Sequence, residues 1–112
     1  MTSVDTYIRA WQARDPAARA ALLEECFAAD GRFVMRTREL RGRAALAELM
    51  ASVHADPKLV AIRVIGAIDL VGKTFRFRAV VDRTDGTSPE TLETGELDAS
   101  GRIALILTFT GP

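Results

Sequence analysis

Thiols and imidazoles are nearly missing from this chain: Cys26 is its one cysteine and His54 its one histidine among 112 residues. A single cysteine excludes an internal disulfide, and one of each excludes a Cys/His metal cage built by one chain. Long apolar runs are missing as well. No stretch approaches the ~20 residues of a membrane-spanning helix, and MTSVDTYIRAW carries acid and aromatic side chains where a signal peptide is smoothly apolar. There is no net charge either: 15 basic side chains offset 15 acidic ones, so no overall field draws in nucleic acid or an anionic membrane. The chain also has no glycine-rich phosphate cradle, no interleaved aromatic and basic pattern, and no Ser-His-acid order that makes geometric sense with one histidine. These absences predict a soluble cytoplasmic protein that holds no metal or cofactor and engages neither nucleic acid nor membrane.

What is present is material for a core. An apolar fraction of 48% in 112 residues suffices for one domain spanning 1–112. Val4, Tyr7, Ile8 and Trp11 recur at helical spacing and predict a first helix capped by Ser3 and running to about Arg14. Asp15-Pro16 pairs a capping acid with proline at the first helical position, and PAARAALLEECFAA supplies helix propensity as far as Asp30-Gly31. RFVMR reads as a short strand and RTREL as the loop after it. Gly42 then precedes a third helix with a stripe of Leu46, Leu49, Met50 and Val53, closed by Asp56-Pro57.

Beyond Pro57 the period becomes that of strands. KLVAIRVIGAIDLV and TFRFRAVVD form a hairpin about Gly72, RTDGTSPE is a loop, and TLETGELD and RIALILTFT form a second hairpin about Gly101. Helices first and strands afterwards predict an α+β fold, three N-terminal helices segregated on one face of a curved antiparallel sheet. In the last strand Ile103, Leu105, Leu107 and Phe109 make one parity wholly apolar, and Ala104, Ile106, Thr108 and Thr110 make the other largely so. A strand apolar on both faces needs cover on both, whereas the helices cover one. A homodimer through the outer face of the sheet, or burial by the chain's own loops, supplies the second cover.

The order YIRAW…RDPAARAALLEECFAADG, then LRGRAALAELM, then ELDASGRI with an apolar last strand and Gly111-Pro112, resembles the nuclear transport factor 2-like superfamily. Within it the chain is most similar to the SnoaL-like and ketosteroid isomerase-like proteins. That resemblance covers nearly the whole chain and implies a cone-shaped α+β barrel, a pocket between helices and sheet, and a homodimer. It specifies a fold and not a reaction. It also implies a pocket lined by Trp11, Phe27, Phe33, Met35, Met50, Phe77, Thr108 and Thr110. In the isomerase a tyrosine and a protonated aspartic acid form an oxyanion hole while a separate aspartate moves the proton. By the same resemblance Tyr7 stands for the tyrosine, Glu93 for the oxyanion-hole acid, counted back from Asp98, and Met35 stands where the base should be.

A thioether accepts no proton, and a general base contributes about 10²- to 10⁴-fold, so Met35 is either pocket wall or filled core. Tyr7 and Glu93 make either a plain buried hydrogen bond or a donor pair for a carbonyl ligand. His54, on the last turn of the third helix, serves as a displaced general base or simply favours the helix dipole. Cys26 reads as a small buried thiol. Arg36, Arg38, Arg41 and Arg43 either rim the cavity for an anionic ligand or form a solvated loop with Glu39. Three functions remain open: a carrier of a small hydrophobic molecule, an isomerase or cyclase acting on a carbonyl compound, and a structural dimer with a filled cavity.

Overall fold

Residues 2–110 are described by a computed structural model; Gly111-Pro112 lies outside them. The first helix, α1 (Ser3–Gln12), is capped by Thr2 and not by Ser3: the Thr2 hydroxyl accepts from the Asp5 N–H while the Asp5 carboxylate accepts from the Thr2 N–H. This reciprocal box satisfies two orphan donors at once, which Ser3 could not do without an acid three residues on. Ser3 instead donates its hydroxyl hydrogen to the Gly101 carbonyl, pinning the start of α1 to the last hairpin. Asp15 caps α2 (Pro16–Cys26) by accepting from the Ala18 N–H at 2.9 Å.

That helix stops three residues earlier than its alanines suggest, at Cys26 and not Ala29. Phe27–Val34 is strand β1, because Phe27 pairs with Ile103 and a register shift before Arg32 lets the strand resume alongside the C-terminal one. Pairing and burial of Phe27 outweigh the helix propensity of two alanines, which amounts to less than about 1 kcal/mol per residue. Gly31 makes this possible: a Cβ there would stand 2.5 Å from the Phe27 ring. The segment read as a loop holds a further short strand, β2 (Glu39–Arg41), folded back by the Met35 N–H donating to the Arg38 carbonyl at 2.8 Å. Gly42, with φ of 88°, turns the chain into α3 (Arg43–His54).

The remaining strands are β3 (Leu59–Val71), β4 (Thr74–Arg83), β5 (Glu90–Leu97) and β6 (Ile103–Thr110). The sheet runs β2-β1-β6-β5-β4-β3. All its pairings are antiparallel except β1 with β6, which is parallel, the chain between these two passing through β2, α3 and strands β3 to β5. The sheet bends where β3 shifts register between Ile65 and Asp69, with Gly66 at φ of 73° in the shift. It remains open, with β2 and β3 as its edges. Val4, Tyr7 and Ala10 of α1, Leu23 and Cys26 of α2, and Leu46 and Met50 of α3 pack on Phe33, Phe75, Phe77, Ile103 and Ile106 of the concave face. Each fully buried large side chain contributes about 1.5–3 kcal/mol. No helix is long and apolar enough to cross a membrane among the described residues.

Candidate functional site

Strand alternation places Glu93 inward. Its neighbours in β5, Leu92 and Thr94, point to the outer face, while Thr91, two residues back, shares the inner one. Tyr7 meets it from α1: the phenol hydroxyl donates to Glu93 Oε1 at 2.8 Å, with the tyrosine fully buried and the glutamate 6% exposed. Burial pushes the Glu93 carboxyl up to about 7, against the opposing pull of hydrogen bonding from Tyr7, Thr91 and Thr108. Tyr7 is itself raised well above the ordinary phenol value, by burial first and by the Glu93 charge second. Glu93 thus holds Tyr7 in its neutral form, whereas the Tyr7 hydrogen bond favours the ionised carboxylate and burial opposes it.

Glu93 lines a cavity of about 220 Å³ between the helices and the concave face of the sheet, while Tyr7, bonded to it, is buried outside the lining. Ile8 and Trp11 of α1 and Leu49 and Val53 of α3 make its roof. Phe33 and Met35, Ile62 and Val64, and Phe77, Ala79 and Val81 make its floor, with Thr91, Thr108 and Thr110 beside Glu93. Glu93 is the one titratable side chain of this lining among the described residues. Two polar atoms near it lack hydrogen-bond partners, Trp11 Nε1 and Thr108 Oγ1. The indole N–H lies close enough to Tyr7 to favour its phenolate electrostatically, and the Thr108 hydroxyl does the same for Glu93, yet neither attains hydrogen-bond geometry.

Of the residues expected at the pocket, Trp11, Phe33, Met35, Phe77, Thr108 and Thr110 line the cavity. Phe27 and Met50 do not: both are fully buried in the core, where Phe27 begins β1 and Met50 lies between the two α3 residues that do face the cavity, Leu49 and Val53. His54 is also away from the lining. Its Nε2 lies 2.6 Å from the Trp11 carbonyl, which can only accept, so that nitrogen carries a proton and donates it, while Nδ1 is buried without a partner. His54 therefore ties the end of α3 to the end of α1. The basic residues of the β1–α3 region are dispersed: Arg41 pairs with Glu39, whereas Arg43 donates to the Phe27 and Glu24 carbonyls and fastens α3 to α2. The Cys26 thiol is buried and pushed up to about 12 by desolvation, so it is inert. The aliphatic half of the lining, Ile62, Val64, Ala79 and Val81, went unnoticed in the sequence, although Ile62 pairs with Val81 and Val64 with Ala79 in one inward register.

Residues 4–106 match the family profile of a SnoaL-like domain. No curated protein matches. Among solved structures, a SnoaL-like family protein from Agrobacterium tumefaciens strain C58, provisionally assigned as an isomerase, superposes with a TM-score of 0.86 at 22% identity, covering 98% of this chain and 95% of the other. A nuclear transport factor 2-like protein of unknown function from Exiguobacterium sp. 255-15 gives 0.72 at 20% identity, with 98% of each chain covered. A protein of ketosteroid isomerase-like fold from Catenulispora acidiphila, in complex with trimethylamine, gives 0.74 at 18% identity over 97% of this chain and 86% of that one. At such identities the likeness shows the fold.

Proposed function

The chain belongs to the SnoaL-like domain family, and from that premise we propose that it binds a small, largely apolar molecule in the cavity closed by Glu93, without the proton-moving aspartate of the isomerases. The observation that carries this reading is the cavity itself, about 220 Å³ of space walled by aliphatic and aromatic side chains with one carboxyl group at its end. An apolar cavity of ~150 Å³ stays dry and takes benzene. A larger one accommodates a one- or two-ring compound, with the carboxyl end fixing its orientation. Met35, just past the end of β1, supplies wall at the position where the isomerases carry their base. We place the protein in the cytoplasm as a homodimer through the outer face of the sheet, in keeping with its one unpaired, buried thiol and the apolar outer parity of β6.

A second reading, an isomerase or cyclase acting on a carbonyl compound, draws on one observation: a carboxyl held at about 7 is poised to give or take a proton near neutrality. Tyr7 and Glu93 would be its oxyanion donors and His54 its base. Since His54 stands outside the cavity lining, Glu93 is the better placed proton acceptor in that scheme.

Thermal-shift screening of one- and two-ring ketones, alcohols, amines and hydrocarbons tests the binding reading. At least one compound is expected to raise the melting temperature of the wild type and to lose that effect in Ala79→Leu, whose longer side chain occupies the cavity. Equal responses in the two proteins would put binding elsewhere and overturn it. Turnover of a ketone by the wild type that vanishes in Glu93→Gln would select the enzyme.

A further inference from the structure

Glu93 is a buried carboxyl group with no cationic side chain beside it among the described residues. From α1 the Tyr7 hydroxyl donates to Oε1 at 2.8 Å, and on its own strand the Thr91 hydroxyl lies 3.5 Å from Oε2. From β6 the Thr108 hydroxyl acts on the carboxyl in the direction of ionisation. The Tyr7 oxygen, its proton committed to Glu93, has lone pairs left for the nearby Trp11 N–H. The neighbouring elements add no charge: β4 offers Phe77, α3 offers Leu49 and Val53, β1 offers Phe33, and the turn after it offers Met35. Tyr7 is the one other titratable group facing Glu93, and no lysine, arginine or histidine is among the cavity lining of the described residues.

Every polar neighbour is therefore a neutral group able to donate to a carboxylate, and none compensates its charge. Neutral donors reduce the cost of ionising a buried acid but leave net charge in a dry site, a state that a bound counter-ion relieves. We propose that the ligand supplies this cation: the cavity takes a compact apolar amine whose ammonium end pairs with the Glu93 carboxylate and whose hydrocarbon body fills the aliphatic end. This rests on the reading that the cavity binds a small molecule. The aromatic walls suit such a guest. Trp11 and Phe33 lie with centroids 6.4 Å apart and Phe77 stands across from Glu93 in the β4–β5 register, and aromatic faces attract a desolvated cation where aliphatic walls do not.

Charge and shape separate in an isosteric trio: N,N-dimethylcyclohexylamine, cyclohexyl methyl ketone and isopropylcyclohexane. Isothermal titration of the wild type at pH 8 is expected to show the amine binding about tenfold or more tighter than the hydrocarbon. The preference should collapse in Glu93→Gln, checked for folding by circular dichroism. Between pH 6 and 8 Glu93 loses its proton while an aliphatic amine, with a pKa near ~10, keeps its own, so amine affinity should rise. Ketone affinity should fall over the same range as the carboxyl donor disappears. Ketone or hydrocarbon binding as tight as the amine at pH 8 overturns the amine assignment and leaves the cavity reading standing. Failure of all three to bind overturns the assignment as well, and the wider screen then decides the cavity reading separately.

Discussion

The acid that closes the cavity is also a stability liability with a definite sign. Glu93 titrates at about 7 in the fold, against an ordinary value of 4.5, so the folded state binds more protons than the unfolded one between those values. Stability then falls as pH rises through that window, and the whole cost, on the order of 3 kcal/mol, is present above about pH 7. Glu93→Gln keeps an acceptor for the Tyr7 hydroxyl and removes the titration. Its melting temperature should exceed that of the wild type at pH 8 and approach it at pH 5; parallel pH profiles for the two proteins would contradict the burial argument. Tyr7→Phe takes away the donor that Glu93 receives at 2.8 Å and leaves a buried carboxyl less satisfied, so it should destabilise by about 1–3 kcal/mol and push the Glu93 titration higher still, readable by carbon-detected NMR of the carboxyl. This pair was legible through the family resemblance, which set Tyr7 in the place of the tyrosine and Glu93, counted back from Asp98, in that of the acid; helical spacing by itself put Tyr7 on the apolar stripe of α1 and named no partner for it. Phe27 and Met50 were misplaced for a converse reason. Apolar character says that a residue is buried and not which void it borders, and one helical turn separates Met50 from Val53.

Among the elements, β5 shows how a local constraint is met by one residue type. A Cβ at Gly95 would lie 2.0 Å from the Leu105 carbonyl oxygen and 2.8 Å from the Phe75 ring, both held by neighbouring strands. Neither backbone nor a buried ring can give way by an ångström without unpairing β5 from β6. Gly95→Ala is therefore expected to cost about 3 kcal/mol or more, measured as a fall in the urea midpoint. Gly72, by contrast, has open space about it and needs only its positive φ for the β3–β4 turn. The hairpins could be read from sequence because their turns carry glycine and their strands alternate. The α2–β1 boundary could not, since Phe-Ala-Ala-Asp is acceptable to a helix and becomes strand only through pairing with Ile103, a residue some 75 positions away in a register that no local window contains. The parallel pairing of β1 with β6 and the three-residue β2 escape local patterning in the same way.

At the scale of the whole molecule the sheet has two faces with different obligations. Ile106, Thr108 and Thr110 of β6 face the helices and cavity, which sends Leu105, Leu107 and Phe109 to the outer side. Val34 stands beside Leu107 in the β1–β6 register, and Leu92 pairs with Phe109 across β5–β6, so these side chains form one contiguous apolar strip. Phe109 remains 47% exposed and Leu92 36%. Around the strip run ion pairs, Arg32 with Glu39 on one flank and Arg78 with Glu90 on the other, a polar rim about an apolar centre. The helices cannot reach this side, and the loop after β4 does not cover it, since Leu92 and Phe109 stay open to solvent. A second copy meeting it about a two-fold axis would bury strip against strip and let the two sets of ion pairs adjoin. Leu107→Glu leaves the monomer's inner packing alone while placing a charge at the centre of that contact, where desolvating an unpaired carboxylate costs several kcal/mol. Light scattering coupled to gel filtration should accordingly give the wild type twice the chain mass of 12.2 kDa and the variant that mass once, with the helix and sheet signature of its circular dichroism unchanged. A wild type running at the single-chain mass across micromolar concentrations would mean that the strip serves some other partner, and the apolar outer parity of the last strand would then have to be explained without a second subunit.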